Sequence, residues 1–141
     1  MASLQKDILI DDLPERVWDA VRDVGAVHHR LVPGLVSTVS VEEDLRILTF
    51  PDGRIVQERI VAIDDEKRRL AYAVIEARMP LIHHHASFQV FADGPHRTRL
   101  VWITDFLPHS LANEIHLYVE RGAIVMKEAL ENQSHHHSSQ G

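Results

Sequence analysis

Residues 108–131 read PHSLANEIHLYVERGAIVMKEALE. Beyond Pro108, the residues Leu111, Ile115, Tyr118, Val119, Gly122, Met126, Ala129 and Leu130 recur at helical spacing and form one broad apolar stripe. The pattern predicts a helix of about six turns. Glu114, Glu120, Arg121, Lys127, Glu128 and Glu131 fill the rest of its circumference. A long amphipathic helix has to bury its stripe against something, and the preceding chain supplies a sheet. Between residues 35 and 107 the pattern is extended and broken by short turns: 36–42, 46–50, 55–63, 70–76, 81–92 and 98–106. Pro51-Asp52-Gly53, Asp64-Asp65-Glu66-Lys67 and Asp93-Gly94-Pro95 are the turn signals between them. Strands joined so closely predict an antiparallel meander.

Upstream, residues 4–10 form a first strand on Leu4, Ile8 and Ile10, and a helix follows. Asp12 and Glu15 have capping-box spacing, Pro14 falls in the first turn, and Val17, Trp18, Val21 and Val24 make the helical stripe. A second short helix is expected over 26–31, stopped by Pro33-Gly34. The fold class is therefore α+β: a curved antiparallel sheet around a long C-terminal helix, with two short helices after the first strand. Residues 1–131 are expected as one domain, and the polar 132–141 (NQSHHHSSQG) as a disordered tail.

The whole chain has 141 residues, 15 basic and 21 acidic, for a net charge of −6. That balance disfavours nucleic-acid binding, which needs a concentrated positive surface. No window reaches the roughly 20 apolar residues of a spanning helix. Nor does the N-terminus read as a signal peptide, so a cytoplasmic location without membrane insertion is expected. With no cysteine there is no disulfide and no thiolate site. No GxGxxG, Walker, GxSxG or HExxH string occurs, so no cofactor is expected.

Several ordered strings resemble the START-like (SRPBCC) superfamily, the birch-pollen-allergen-like helix-grip fold, and in particular its bacterial polyketide cyclase/dehydrase-type members. They are Ile8-Leu9-Ile10 with Pro14-Glu15-Arg16-Val17-Trp18-Asp19, then Glu58 to Glu66, Tyr72, residues 98–102 (TRLVW) and Asp105-Phe106-Leu107-Pro108. The resemblance spans 4–130 and implies a cavity between the C-terminal helix and the concave sheet, where members hold lipids, sterols or polyketides. Residues 58–75 also resemble plant abscisic acid receptors of the same superfamily. Their gate string is replaced here by Phe50-Pro51-Asp52-Gly53-Arg54, the region of their ligand lysine reads 28–34 (HHRLVPG), and their latch string is missing before Ala86, so hormone sensing does not carry over.

Strand alternation selects the side chains that can face such a cavity. Ile82, His84, Ala86, Phe88 and Val90 share the apolar parity, and His83, His85, Ser87 and Gln89 the outward one. Thr98, Leu100, Trp102, Thr104 and Phe106 turn inward because Arg97 and Arg99 want water. Tyr72 goes with Leu70 and Val74, and Glu58 with Val56 and Ile60; the resemblance also places Glu58 inward. The expected lining is Val56, Ile60, Val74, Phe88, Trp102 and Thr104 from the sheet, with Ile115, Tyr118, Val119, Gly122 and Met126 from the helix.

A carboxylate in apolar company has a raised pKa, so Glu58 with His84 or Tyr72 is a candidate acid–base set for cyclisation, dehydration or lyase chemistry. The competing reading is a structural Glu58 held by Tyr72, Arg59 or a water. His83 and His85 lie two apart on an outward face without the three or four ligands of a metal centre, so no metal site is expected. His28-His29 is placed near the cavity mouth. The principal expectation is a binder of a hydrophobic small molecule, the second a cyclase, dehydratase or lyase. The third is a homodimer through a sheet edge or the outer face, suggested by the outward parity of Val101 and Ile103.

Overall fold

The computed structural model describes residues 2–77 and 81–140, with side chains described through residue 132. The order is β1 (Ala2–Ile10), α1 (Pro14–Arg22), α2 (Val27–Arg30), β2 (Thr38–Glu42), β3 (Leu45–Thr49), β4 (Ile55–Asp64), β5 (Arg69–Glu76), β6 (His83–Ala92), β7 (Thr98–Leu107) and α3 (Ala112–Gln140). All seven strands form one antiparallel sheet in the order β1-β7-β6-β5-β4-β3-β2, a meander whose last strand pairs with β1. This is the expected helix-grip arrangement.

β4 carries two register shifts, between Gln57 and Glu58 and between Ile60 and Ala62. Such bulges raise local twist and re-aim side chains, which curves the sheet and turns Glu58 to its concave side. That face and α3 enclose a core in which Ile10, Val17, Leu70, Leu100, Phe106 and Ile115 are all but inaccessible. The turn between β3 and β4 is closed by Phe50 N–H to Arg54 O and Gly53 N–H to Phe50 O, both 2.9 Å, with Gly53 at φ 89° as a residue without Cβ permits.

α3 is fastened along one flank, the one facing β1. Lys6 Nζ reaches Glu120 at 3.0 Å, Lys127 Nζ reaches the Leu9 carbonyl, and the Asp11 N–H donates to Glu131 Oε2 at 3.0 Å. α1 is held at the β4–β5 turn, where Asp65 Oδ1 accepts from Trp18 Nε1 at 2.9 Å and from Arg22 Nε at 2.8 Å.

Several local expectations change. Leu13, not Asp12, is the N-cap of α1, and it makes no side-chain cap. Asp12 is buried, accepts from the Leu13 N–H at 2.7 Å, and offers its own carbonyl to Thr98 Oγ1 at 2.8 Å. It stitches the helix start to β7 instead of capping it. Ile82 lies before β6 and is 78% exposed, so it contributes nothing to the inward face. Val101 has outward parity yet is 6% exposed, because its cross-strand neighbours Asp7 and Gln89 cover it. One argument for an apolar docking face on the outer sheet is thereby removed. α3 is described to Gln140, and residues 132–140 hold neither proline nor glycine. The tail histidines His135 to His137 lie outside the described side chains.

Candidate functional site

The hairpin joining β3 to β4 sets the centre of the site. Counting outward two residues at a time from the Phe50–Arg54 closure, Leu48 faces Val56 and Arg46 faces Glu58. Arg46 and Glu58 thus arrive side by side on the concave face, 5% and 7% exposed. Arg46 Nε donates to Glu58 Oε1 at 2.9 Å, and Nη2 lies 2.6 Å from the same oxygen. Arg46 Nη1 also donates to the Val24 carbonyl at 3.4 Å, and the guanidinium sits 5.5 Å above the Tyr72 ring. Burial raises the Glu58 pKa from the usual carboxylate value, with Arg46 pulling against it.

This pair divides the space between sheet and helix into two chambers. The outer holds about 70 Å³; Val56, Val74, Leu81 and Ile115 give its apolar wall, and Glu58, Tyr72, His84 and Tyr118 its polar groups. The inner holds about 30 Å³, against Arg46, Glu58, Tyr72, Phe88, Trp102 and Met126. Aromatic rings run through both. Tyr72 and Phe88 lie 6.1 Å apart, Phe88 and Trp102 stack at 4.9 Å, and Tyr118 meets Trp102 edge-on at 6.2 Å. At the outer end Arg54 lies 4.9 Å over the Phe50 ring, and Phe50, Arg54 and Tyr118 separate the outer chamber from a surface groove of about 270 Å³ that reaches Arg121.

His84 is where parity put it. Its Nε2 and Thr104 Oγ1 are 2.7 Å apart, and burial, helped by the neighbouring His83 and His85, lowers its pKa to about 4. The imidazole is neutral at pH 7. Burial raises the Tyr72 hydroxyl well above the ordinary phenol value, reinforced by the Glu58 charge. The same causes lift Tyr118 to about 12, although 39% of its surface is exposed; the hydroxyl is the buried end.

Of the expected lining, Val56, Val74, Ile115 and Tyr118 border the outer chamber, and Phe88, Trp102, Met126 and again Tyr118 the inner one. Glu58, Tyr72 and His84 are brought to a common cavity. Ile60, Thr104, Val119 and Gly122 stand behind the walls. Thr104 supports His84, Ile60 and Val119 pack in the core, and Gly122 lets α3 approach Trp102: a Cβ there would lie 3.0 Å from Trp102 Cζ3. The expected partners of Glu58 are corrected. Arg59 points outward to Asp44 at 3.0 Å, and the neighbour that holds Glu58 is Arg46. The β3–β4 turn would have revealed it, since the closure fixes the register. His28 and His29 stack on each other at 3.8 Å and line neither chamber; α2 presents Val27 to the inner one instead. Among the described residues no group of three or more His, Asp or Glu is placed to hold a metal ion.

The family model described as "Polyketide cyclase / dehydrase and lipid transport" matches residues 1–132. The chain belongs to this polyketide cyclase/dehydrase family. Among solved structures, the fold is shared with a protein from Thermobifida fusca at 25% identity and TM-score 0.79, covering 94% of this chain and 93% of that one. The Zhui aromatase/cyclase from Streptomyces sp. R1128 has 17% identity and TM-score 0.78, covering 95% and 93%. Norcoclaurine synthase from Thalictrum flavum, in complex with dopamine and hydroxybenzaldehyde, has 16% identity and TM-score 0.77, covering 96% and 87%. A comparison with curated proteins gives no match. Among the described residues no helix is long and apolar enough to cross a membrane.

Proposed function

We propose that this protein binds a hydrophobic small molecule carrying an aromatic ring, between α3 and the concave sheet. The observation that carries the reading is a cavity whose apolar wall is interrupted by a few converging polar groups, Glu58, Tyr72, His84 and Tyr118, the usual make-up of a ligand pocket. A water occupies roughly 10–15 Å³ on the same measure, so 70 Å³ suits a guest with one ring. Dopamine and hydroxybenzaldehyde, the one-ring compounds held in the norcoclaurine synthase complex, agree in size with that guest. A thermal-shift and native mass-spectrometry screen with one-ring aromatic alcohols, ketones and hydrocarbons tests it. Binders raise Tm by mass action, and a screen in which none does so refutes the reading.

A second reading, a cyclase, dehydratase or lyase, is favoured by one observation. A buried carboxyl with raised pKa, a phenol and a neutral imidazole face one cavity. In the tautomer whose Nε2–H donates to Thr104 Oγ1, His84 Nδ1 is the nitrogen that takes a proton from carbon next to a carbonyl. The Tyr72 hydroxyl, or Glu58 in its protonated form, then donates to the oxygen where charge develops. Glu58→Gln and His84→Ala abolish turnover and keep binding if this holds; unchanged turnover in both removes it.

A further inference from the structure

The chain has two tryptophans in opposite circumstances. Trp18 Nε1 has its acceptor, Asp65. Trp102 is 3% exposed, and among the described residues its Nε1 has no partner in hydrogen-bonding geometry. Burial dominates the raised Tyr72 pKa and the Trp102 indole works weakly against it, so the two groups are neighbours, yet they do not meet in a formed bond. Leaving a buried donor unmet carries its full desolvation penalty, and such groups call for an explanation. The ring has no freedom to turn toward another acceptor. Phe88 stacks on it, Tyr118 meets it edge-on, and the Gly122 backbone closes on its Cζ3–Cη2 edge. Trp102 lines the inner chamber, whose 30 Å³ has room for roughly two water-sized groups and none for a ring.

We infer that the guest carries a neutral oxygen acceptor, a ketone, aldehyde or phenol oxygen, which enters the inner chamber and accepts a hydrogen bond from Trp102 Nε1. The apolar body of the guest stays in the outer chamber, with which the inner one shares Glu58, Tyr72 and Tyr118. Tyr72 supplies a second donor to the same oxygen. A carboxylate guest is disfavoured, because Arg46 is already committed to Glu58 and a further anion would meet that carboxylate in a desolvated site. The inference rests on the binding function proposed above and adds the chemical class of the ligand.

The test uses two probes of matched skeleton, acetophenone and ethylbenzene, which differ by a carbonyl in place of a methylene. Each is titrated into the full-length ¹⁵N-labelled protein while the two indole N–H signals are followed. Acetophenone should move the Trp102 signal downfield, leave that of Trp18 in place, and bind roughly five- to tenfold tighter than ethylbenzene, as one net hydrogen bond allows. In Trp102→Phe that preference for acetophenone over ethylbenzene should disappear, whatever the absolute affinities. The wild-type titration stands by itself should the variant fold poorly. Equal binding of both probes with a stationary Trp102 signal overturns the inference and leaves the binding function intact, as does a preference that survives in Trp102→Phe. Binding of neither probe overturns both.

Discussion

Replacing Arg46 by Met strands Glu58, a carboxylate 7% exposed, without the cation that holds it. At 2.6 Å and an effective dielectric of about 20, the Arg46–Glu58 attraction is about 6 kcal/mol. Desolvating two ions costs several kcal/mol each, so the intact pair is close to break-even against an apolar pair of the same volume. Removing one partner leaves only the cost. Arg46→Met and Glu58→Leu should therefore each destabilise by about 3–5 kcal/mol, while the double variant returns to within about 2 kcal/mol of the parent. Urea denaturation followed by far-UV circular dichroism measures all four corners of the cycle, with an expected coupling of at least about 3 kcal/mol. The pH dependence has a definite sign. A carboxyl with a raised folded pKa loses stability as pH climbs from its unfolded value through the folded one. Arg46→Met removes the group that holds the Glu58 pKa down, so its penalty should be larger near about pH 7.5 than near about pH 5. Additive single variants, or a penalty that does not change with pH, would refute the assignment of a desolvated, mutually dependent pair.

Three further outcomes follow from the same geometry. His84 falls from 6.5 unfolded to about 4 folded, so its contribution is complete above pH 6.5 and is lost as pH drops toward 4, by up to about 3 kcal/mol. His84→Gln should flatten that limb in urea titrations; parallel curves for parent and variant would contradict it. Gly122→Ala gains about 1 kcal/mol of helix propensity but sets a Cβ 3.0 Å from Trp102 Cζ3, and overpacking of about 1–3 kcal/mol should win. Loss of near-UV dichroism from the displaced indole checks this, and a rise in Tm would count against it. Asp65→Ala removes the acceptor of Trp18 and Arg22 at an exposed turn and should lower Tm slightly, with the Trp18 indole signal moving and that of Trp102 unchanged.

How far the sequence reached depended on how local each signal was. The period of 111–130 and the turn residues at 51–53, 64–67 and 93–95 are local, and they recovered the long helix, the hairpins and the meander. The parity of Trp102 was legible because arginines at 97 and 99 mark the wet side of β7, and that of His84 because Ala86, Phe88 and Val90 share it. Arg46 escaped because charge suggests solvent, and only cross-strand register brings it to Glu58. Ile82 was misassigned because alternation says nothing of where a strand begins. Val101 shows the opposite failure, since long neighbours on adjacent strands hide an outward side chain. The exclusion of His28 and His29 from the cavity goes with α2 turning Val27 to the inner chamber, a tertiary fact without a local code.

The one-sided fastening of α3 bears on how large a guest can be. Every hydrogen bond from its described side chains to a strand or its flanking residue lies on the β1 flank, through Glu120, Lys127 and Glu131, whereas Tyr118 and Arg121 stand at the other edge with no such tie. The helix is mounted as a door on one jamb. Swinging its free edge outward breaks no side-chain hydrogen bond among the described residues; it costs apolar contacts, those of Ile115 and Tyr118 with the far side of the cup and those of Tyr118 and Gly122 with Trp102. The 70 Å³ of the outer chamber is therefore the volume with the door shut. Guests of graded width should report the stiffness of that hinge in their association rates before they report it in their affinities.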